Sequence, residues 1–148
     1  MKLLMLSWHI FLIQACSHYT KPSSDELQIA IDTIKIGKNI IYFNKPLYSR
    51  KSIMQYEEGV FITYTLPDSS YLLIQAGAMV NSPISTFKKS ELLDHKINNG
   101  IETYKGIRNN KICFREDIYY KKIHFIYDGV KPKNRMIFDE IIDNVSIK

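Results

Sequence analysis

A thiol and a set of imidazoles are the side chains in this 148-residue chain that could act as nucleophile and base, and their spacing decides whether they can meet. Cys113 has His95 and His124 as candidate bases. Runs of β-branched and aromatic residues flank Lys121-Lys122, so a two-residue turn there closes a hairpin between Ile112–Tyr119 and Ile123–Tyr127. In that register Tyr119 faces His124 and Cys113 faces Val130. The thiol and the imidazole then lie about 20 Å apart along the ladder, at 3.3–3.4 Å per residue, too far for proton transfer. Cys113 is expected to be a buried structural thiol, free cysteine being among the most buried residue types.

The same register sorts the carboxylates. Arg115 faces Asp128, with Asp117 on their side of the strand, which reads as a cross-strand ion pair on the wetter face worth about 0.2–1 kcal/mol. Glu116 falls on the apolar side with Ile118, Phe125 and Tyr127. A lone buried carboxylate is costly, so Glu116 is expected at a sheet edge or hydrogen-bonded to a tyrosine hydroxyl. It is the one carboxylate that would serve as acid if the chain hydrolysed wall or glycan polymers. Asp94, Asp139, Glu140 and Asp143 read as helix surface. His-x-x-x-His, Cys-x-x-Cys and EF-hand spacings do not occur, nor does a glycine-rich phosphate loop or a Gly-x-Ser-x-Gly elbow. The expectation is a non-enzymatic protein with no catalytic residue, no metal and no cofactor.

Tyrosine is the side chain in excess: ten in the chain, nine of them from Tyr42 onward. It offers rigid amphipathic contact area, which suits a binding face. Two clusters combine it with basic residues, Tyr119-Tyr120-Lys121-Lys122 at the hairpin tip and Tyr48-Ser49-Arg50-Lys51. Tyr119, Tyr120, Lys121, Lys122, Tyr48, Arg50 and Lys51 are therefore the expected contacts to a protein partner.

The chain begins with Lys2 and an apolar run from Leu3 to Ile13, too short to span a bilayer but suited to a secretory signal. Ile13-Gln14-Ala15-Cys16 follows and resembles the lipobox of bacterial lipoproteins. That resemblance implies cleavage before Cys16 and lipidation of its thiol, with the acyl chains, such as palmitate, holding the protein to a membrane. Ser17, in place of an aspartate, implies the outer membrane, facing the periplasm. Residues 1–15 are then signal peptide, 16–24 a lipidated cysteine and polar tether, and 25–148 a single domain.

Removal of the signal takes Lys2 with it and leaves 19 basic against 15 acidic side chains. No run of like charge is long enough to track a phosphate backbone, so nucleic acid is not an expected partner. With 45% hydrophobic and 24% charged residues the composition is that of an ordinary globular domain, and its size is sufficient to hold a core without disulfides.

Most of the elements that must position these residues read as strands. Residues 25–36 fit helix or strand. Ile34–Ile36 and Ile40–Phe43 flank Gly37-Lys38-Asn39 as a hairpin, and Val60–Leu66 and Tyr71–Ile74 flank a Pro67–Ser70 turn. Ser85 to Asn98, stopped by Asn99-Gly100, reads as a short helix. Ile101–Tyr104, Ile112–Tyr119 and Ile123–Tyr127 complete the strands. After Lys131-Pro132, Phe138, Ile141, Ile142 and Val145 share one helical face. The fold class is α+β: an antiparallel, meander-like sheet of five to seven strands, a short inserted helix, and a C-terminal helix packed on one face.

Gly106-Ile107 through Phe114-Arg115-Glu116-Asp117, with the closing Phe138-Asp139-Glu140-Ile141-Ile142-Asp143-Asn144-Val145, resembles the C-terminal half of small Gram-negative envelope lipoproteins. Its element order is similar to the PsbP-like α/β sandwich. The resemblance spans about fifty residues and implies an accessory or binding domain, in some cases an immunity protein that neutralises a secreted toxin.

Overall fold

The computed structural model describes residues 28–78, 88–119 and 122–148. The signal, lipobox and tether expected over residues 1–24 lie outside these, as do Phe87, Tyr120 and Lys121.

Strand β1 (Ile29–Ile36) turns through Gly37, whose φ of +60° suits a residue without a Cβ, into β2 (Asn39–Pro46). The stretch that fitted helix or strand is thus a strand from Ile29 onward, because the turn gives it a partner. A short final strand, β10 (Ser146–Ile147), pairs with the other side of β2 and completes a three-stranded sheet.

The second sheet has seven antiparallel strands. These are β3 (Arg50–Tyr56), β4 (Gly59–Thr65), β5 (Tyr71–Gly77), β6 (Leu92–Asn98), β7 (Ile101–Arg108), β8 (Ile112–Tyr119) and β9 (Ile123–Val130). Their spatial order is β3-β4-β5-β9-β8-β7-β6, two meanders joined where β5 pairs with β9. One helix, α1 (Arg135–Asp143), follows a 3-10 turn at Pro132–Asn134. The architecture is the α+β arrangement expected, with more strands.

The inserted helix is different. The described part of Ser85–Asn98 holds one 3-10 turn, Lys89–Glu91, and then strand β6. Asn99 and Gly100 both have positive φ, 48° and 76°, and close a hairpin between β6 and β7. Asn-Gly stops a helix but also forms the tightest hairpin turn, and the β-branched partner strand decides between them.

The core lies between the large sheet and a second layer made of the small sheet and α1. Ile34, Ile41 and Phe43 come from the small sheet, Ile62, Tyr64, Leu72, Ile74, Phe125 and Tyr127 from the large one, and Phe138, Ile141 and Ile142 from α1. Phe43 sits edge-on to both Tyr64 and Phe125, at 5.7 and 5.8 Å. Cys113 is 1% exposed in this core, and burial pushes its thiol pKa up, as fits a structural thiol. The layers are also tied by Tyr64, whose hydroxyl donates to Asp32 of β1 at 2.8 Å.

The β8–β9 register departs from the expected one by one residue over most of its length. Cys113 does face Val130, but Tyr119 faces Ile123 and Arg115 faces Tyr127. The loop holds three residues, closed by the Lys122 N–H donating to the Tyr119 carbonyl at 3.0 Å. A bulge at Asp128-Gly129, with Gly129 at φ +74°, absorbs the extra residue. Arg115 therefore points into the layer interface, not to a wetter face, and is 4% exposed.

There Arg115 binds Asp117 through two parallel bonds of 2.8 Å, Asp143 of α1 at 2.7 Å and Asp139 of α1 at 3.2 Å. Asp139 also accepts from the Tyr127 hydroxyl at 3.0 Å and lies 3.3 Å from Lys105 Nζ. Asp139 and Asp143, expected as plain helix surface, instead dock α1 on the sheet. Burial alone would raise the Asp139 pKa, but Lys105, Tyr127 and Arg115 together hold it below the usual carboxylate value.

Replacing Arg115 by Leu strands Asp117 in the interface and is expected to cost about 3–5 kcal/mol in urea unfolding. Asp143→Asn, at an exposed site, is expected to cost less than about 1 kcal/mol. Asp139 has its pKa lowered in the fold, so its contribution is complete above the unfolded value near about 3.9 and is lost as pH falls through the lower folded value. Thermal unfolding followed below about pH 4 should therefore fall less steeply with acid in Asp139→Asn than in the parent chain.

Candidate functional site

The face of the large sheet turned away from α1 carries a second polar group. Alternation along β8 puts Phe114, Glu116 and Ile118 on this face, and the observed register brings His124 and Ile126 of β9 beside them. Glu116 and His124 are diagonal neighbours, each at most 2% exposed, joined by a 2.7 Å bond between Glu116 Oε1 and His124 Nδ1. Glu116 Oε2 is buried without a hydrogen-bond partner. The expectation that Glu116 would be hydrogen-bonded holds, but its partner is a histidine. Phe125 and Tyr127, beside it in the register expected from the sequence, are on the opposite face, because a one-residue slip exchanges the two faces of a strand.

Around this pair the neighbouring strands supply more polar groups. Tyr104 of β7 faces Glu116, and Gln75 of β5 faces His124. Tyr104 donates to Glu102 at 2.5 Å, and this bond, with burial, pushes the phenol pKa up to about 12. His95 of the edge strand β6 stacks on Tyr104 at 4.3 Å and meets Glu102 at 3.0 Å. Further along the same face Arg108 grips both carboxylate oxygens of Asp128, at 3.1 and 2.8 Å, so Asp128 pairs with Arg108 and not with Arg115.

Gly106 of β7 makes this packing possible. A Cβ there would collide with the Phe114 ring and with the Glu91 carbonyl, so the bare backbone lets both lie against β7.

As chemistry the group is limited. Glu116 is a carboxylate already committed to His124 and closed off from solvent, and Cys113 lies on the other face and several residues along the ladder. Among the described residues no three His, Cys, Asp or Glu side chains are placed to hold a metal ion. Among the described residues, shallow depressions lie elsewhere, such as one along α1 by Met136, Ile137 and Glu140 and another at the β3–β4 turn by Tyr56, Glu57 and Glu58.

The expected binding residues separate into two groups. Tyr119 is not exposed as expected: its ring is half-buried, edge-on to Phe125 at 5.8 Å, and burial raises its pKa. Lys122 closes the hairpin with φ 54°, and Tyr120 and Lys121 lie outside the described residues. The other cluster is open. Tyr48 is 71% exposed, with φ 60°, and leads into β3, where Arg50 and Lys51 begin an edge strand whose seven residues are all exposed.

No family model, no curated protein and no solved structure matches this chain.

What the sequence reading missed is the strand itself. Ile53, Met54 and Tyr56 follow the basic pair and are 50–59% exposed, Ile53 on the same face as Lys51 and Met54 and Tyr56 together on the other. Alternation is absent from Arg50 to Tyr56, because neither face of the strand is buried, and the usual strand signal fails there. His124 was missed for the register reason alone. Gly129 inside a strand pattern was the available sign of a bulge.

Glu116→Ala leaves His124 buried without its acceptor and is expected to cost about 1–3 kcal/mol in denaturant unfolding. The double change to leucine at Glu116 and His124 should recover most of that loss. A double variant no more stable than Glu116→Ala would refute the pairing as the source of the cost.

Proposed function

We propose that this chain is a lipid-anchored cell-envelope protein that acts by binding another protein, most concretely as an immunity-type protein that neutralises a secreted toxin in the periplasm. The observation that carries the binding reading is strand β3. It is an open sheet edge with Tyr48, Arg50, Ile53, Met54 and Tyr56 exposed along it, and among the described residues nothing pairs with its outer side. An open edge recruits an extended segment of a partner through main-chain hydrogen bonds, and exposed side chains on alternate positions give specificity.

The address rests on residues 2–16: a charged start, a short apolar run and Ile13-Gln14-Ala15-Cys16. A tether of eight polar residues, Ser17–Ser24, would let the domain stand off the membrane and present β3. A hydrolase reading asks for a carboxylate in an accessible cleft. Glu116 is 1% exposed and held by His124, which favours binding over catalysis. An accessory subunit of an envelope complex would use the same edge, with a resident protein as its partner.

The test is affinity capture by the chain from Ser17 onward, exposed to envelope and secreted proteins of its own source, with mass spectrometry of what survives a salt wash. A stoichiometric secreted protein lost on Ile53→Lys supports neutralisation, and a resident envelope protein lost in the same way supports the accessory role. Capture unchanged by Ile53→Lys removes β3 from the proposal. Cys16→Ser in the full chain should abolish acylation, read as the mass of the purified protein.

A further inference from the structure

The large sheet has two outer edges, and they are built differently. Strand β6 carries a bulge between Leu92 and Asp94, and a charged pair, Asp94 and Lys96, at 4.0 Å. Bulges and charges are the devices by which native sheets discourage pairing at an edge. Strand β3 has no bulge, and its two charges, Arg50 and Lys51, are confined to its start. Its register with β4 runs unbroken from Arg50 opposite Thr65 to Tyr56 opposite Gly59. Its lysine is turned inward: Lys51 Nζ lies 3.3 Å from Asp32 and 5.3 Å from the centre of the Tyr64 ring, both on the layer side, so it does not guard the edge.

The main-chain groups of β3 can be assigned a direction. Glu57-Glu58 is a two-residue turn, so Tyr56 and Gly59 point their main-chain groups at each other. Alternation then leaves the N–H and C=O groups of Lys51, Ile53 and Gln55 pointing outward. The charges are ordered too, with Arg50 at the start of the strand and Glu57 and Glu58 just beyond its end.

We propose, building on the reading of β3 as a binding edge, that the resting occupant of this edge is a second copy of the chain, paired antiparallel about a two-fold axis at Ile53. In that register Ile53 meets Ile53, Lys51 meets Gln55, Ser52 meets Met54, and Arg50 meets Tyr56. The outward groups of Lys51, Ile53 and Gln55 all find partners, giving about six inter-strand hydrogen bonds. Arg50 lies over the Tyr56 ring of the other copy and next to its Glu57, and the same holds in reverse, so one patch is complementary to itself. Parallel pairing would set Arg50 against Arg50 and the glutamates against each other, which is unfavourable. The contact is a narrow one, so the dimer forms by mass action at high local concentration, as between copies held on one membrane. A toxin or envelope partner that uses β3 has to displace the second copy.

The test is sedimentation velocity of the full chain in detergent over a wide concentration range. The expected result is a monomer–dimer equilibrium, weakened at least about tenfold by Ile53→Pro, which removes an outward N–H. Ile53→Lys is the second variant, placing two charges together on the axis, with circular dichroism confirming that each variant is folded. Arg50→Glu alone should weaken the dimer about fivefold, and so should Glu57→Lys alone, while an equimolar mixture of the two should form the heterodimer in preference to either homodimer. A chain that stays monomeric throughout overturns the self-pairing, as does a dimer unaffected by the Ile53 variants. A monomer that still captures a partner through β3 would leave the binding reading standing without the dimer.

Discussion

The helix of this domain is held on the large sheet by one desolvated guanidinium. Arg115 is the point at which sheet and helix are fixed: Asp117 lies two residues along its own strand, and Asp139 and Asp143 come from α1. A planar fork of five donors can serve three carboxylates at once, which a lysine ammonium cannot do with the same directionality. The arrangement also sets the rotation of α1. With Asp139 and Asp143 turned to Arg115, Phe138, Ile141 and Ile142 are turned into the core, and Phe138 lies edge-on to Tyr127 at 5.5 Å. Tyr127 in turn donates its hydroxyl to Asp139, so the aromatic contact and the ionic one fix each other.

The two faces of the large sheet therefore do different things. One is covered by α1 and the small sheet and combines apolar packing with the Arg115 group. The other carries a ladder of polar pairs, Glu102 with His95, Glu116 with His124, and Asp128 with Arg108, each joining residues from different strands. Pairs between strands oppose sliding, because a shift by one residue would separate each polar side chain from its partner. Such pairs add little net stability, but they specify register on a face where apolar alternation is weak. The binding role argued for β3 needs such a frame, since an edge strand offers a partner a fixed register only if the strands behind it do not slip.

Much of the fold was legible from residue types. The β-branched and aromatic runs at Ile101, Ile112 and Ile123, the glycine turn at Gly37 and the amphipathic stretch ending at Val145 all correspond to observed elements. The failures share a physical cause. Local pattern reports whether a segment is buried on one side, and the edge strands β3 and β6 are buried on neither. Asn99-Gly100 was ambiguous because the same backbone conformation ends a helix and closes a hairpin. The site residues depended on register, which a single loop residue and the bulge at Gly129 changed together. Arg115 was recognised as an ion-pair residue but assigned the wrong acid and the wrong face, and His124 stayed unlinked to Glu116. Tyr48, Arg50 and Lys51 were picked from their exposed chemistry, and the structure puts Arg50 and Lys51 on β3 and Tyr48 just before it.

The order of the large sheet has a consequence in time. Strand β9 lies between β5 and β8, so it joins the two meanders, yet it is the last of the seven to be synthesised. Until residues 123–130 are available, β3–β5 and β6–β8 are separate ribbons, each with an apolar face and no common core. α1, which supplies the second half of the Arg115 group, comes later still. The hairpins within each ribbon are local contacts, but the pairing of β5 with β9 and the packing of α1 must wait until most of the chain exists. The placement of one strand thus makes the common core of the two ribbons the last part of the large sheet to close.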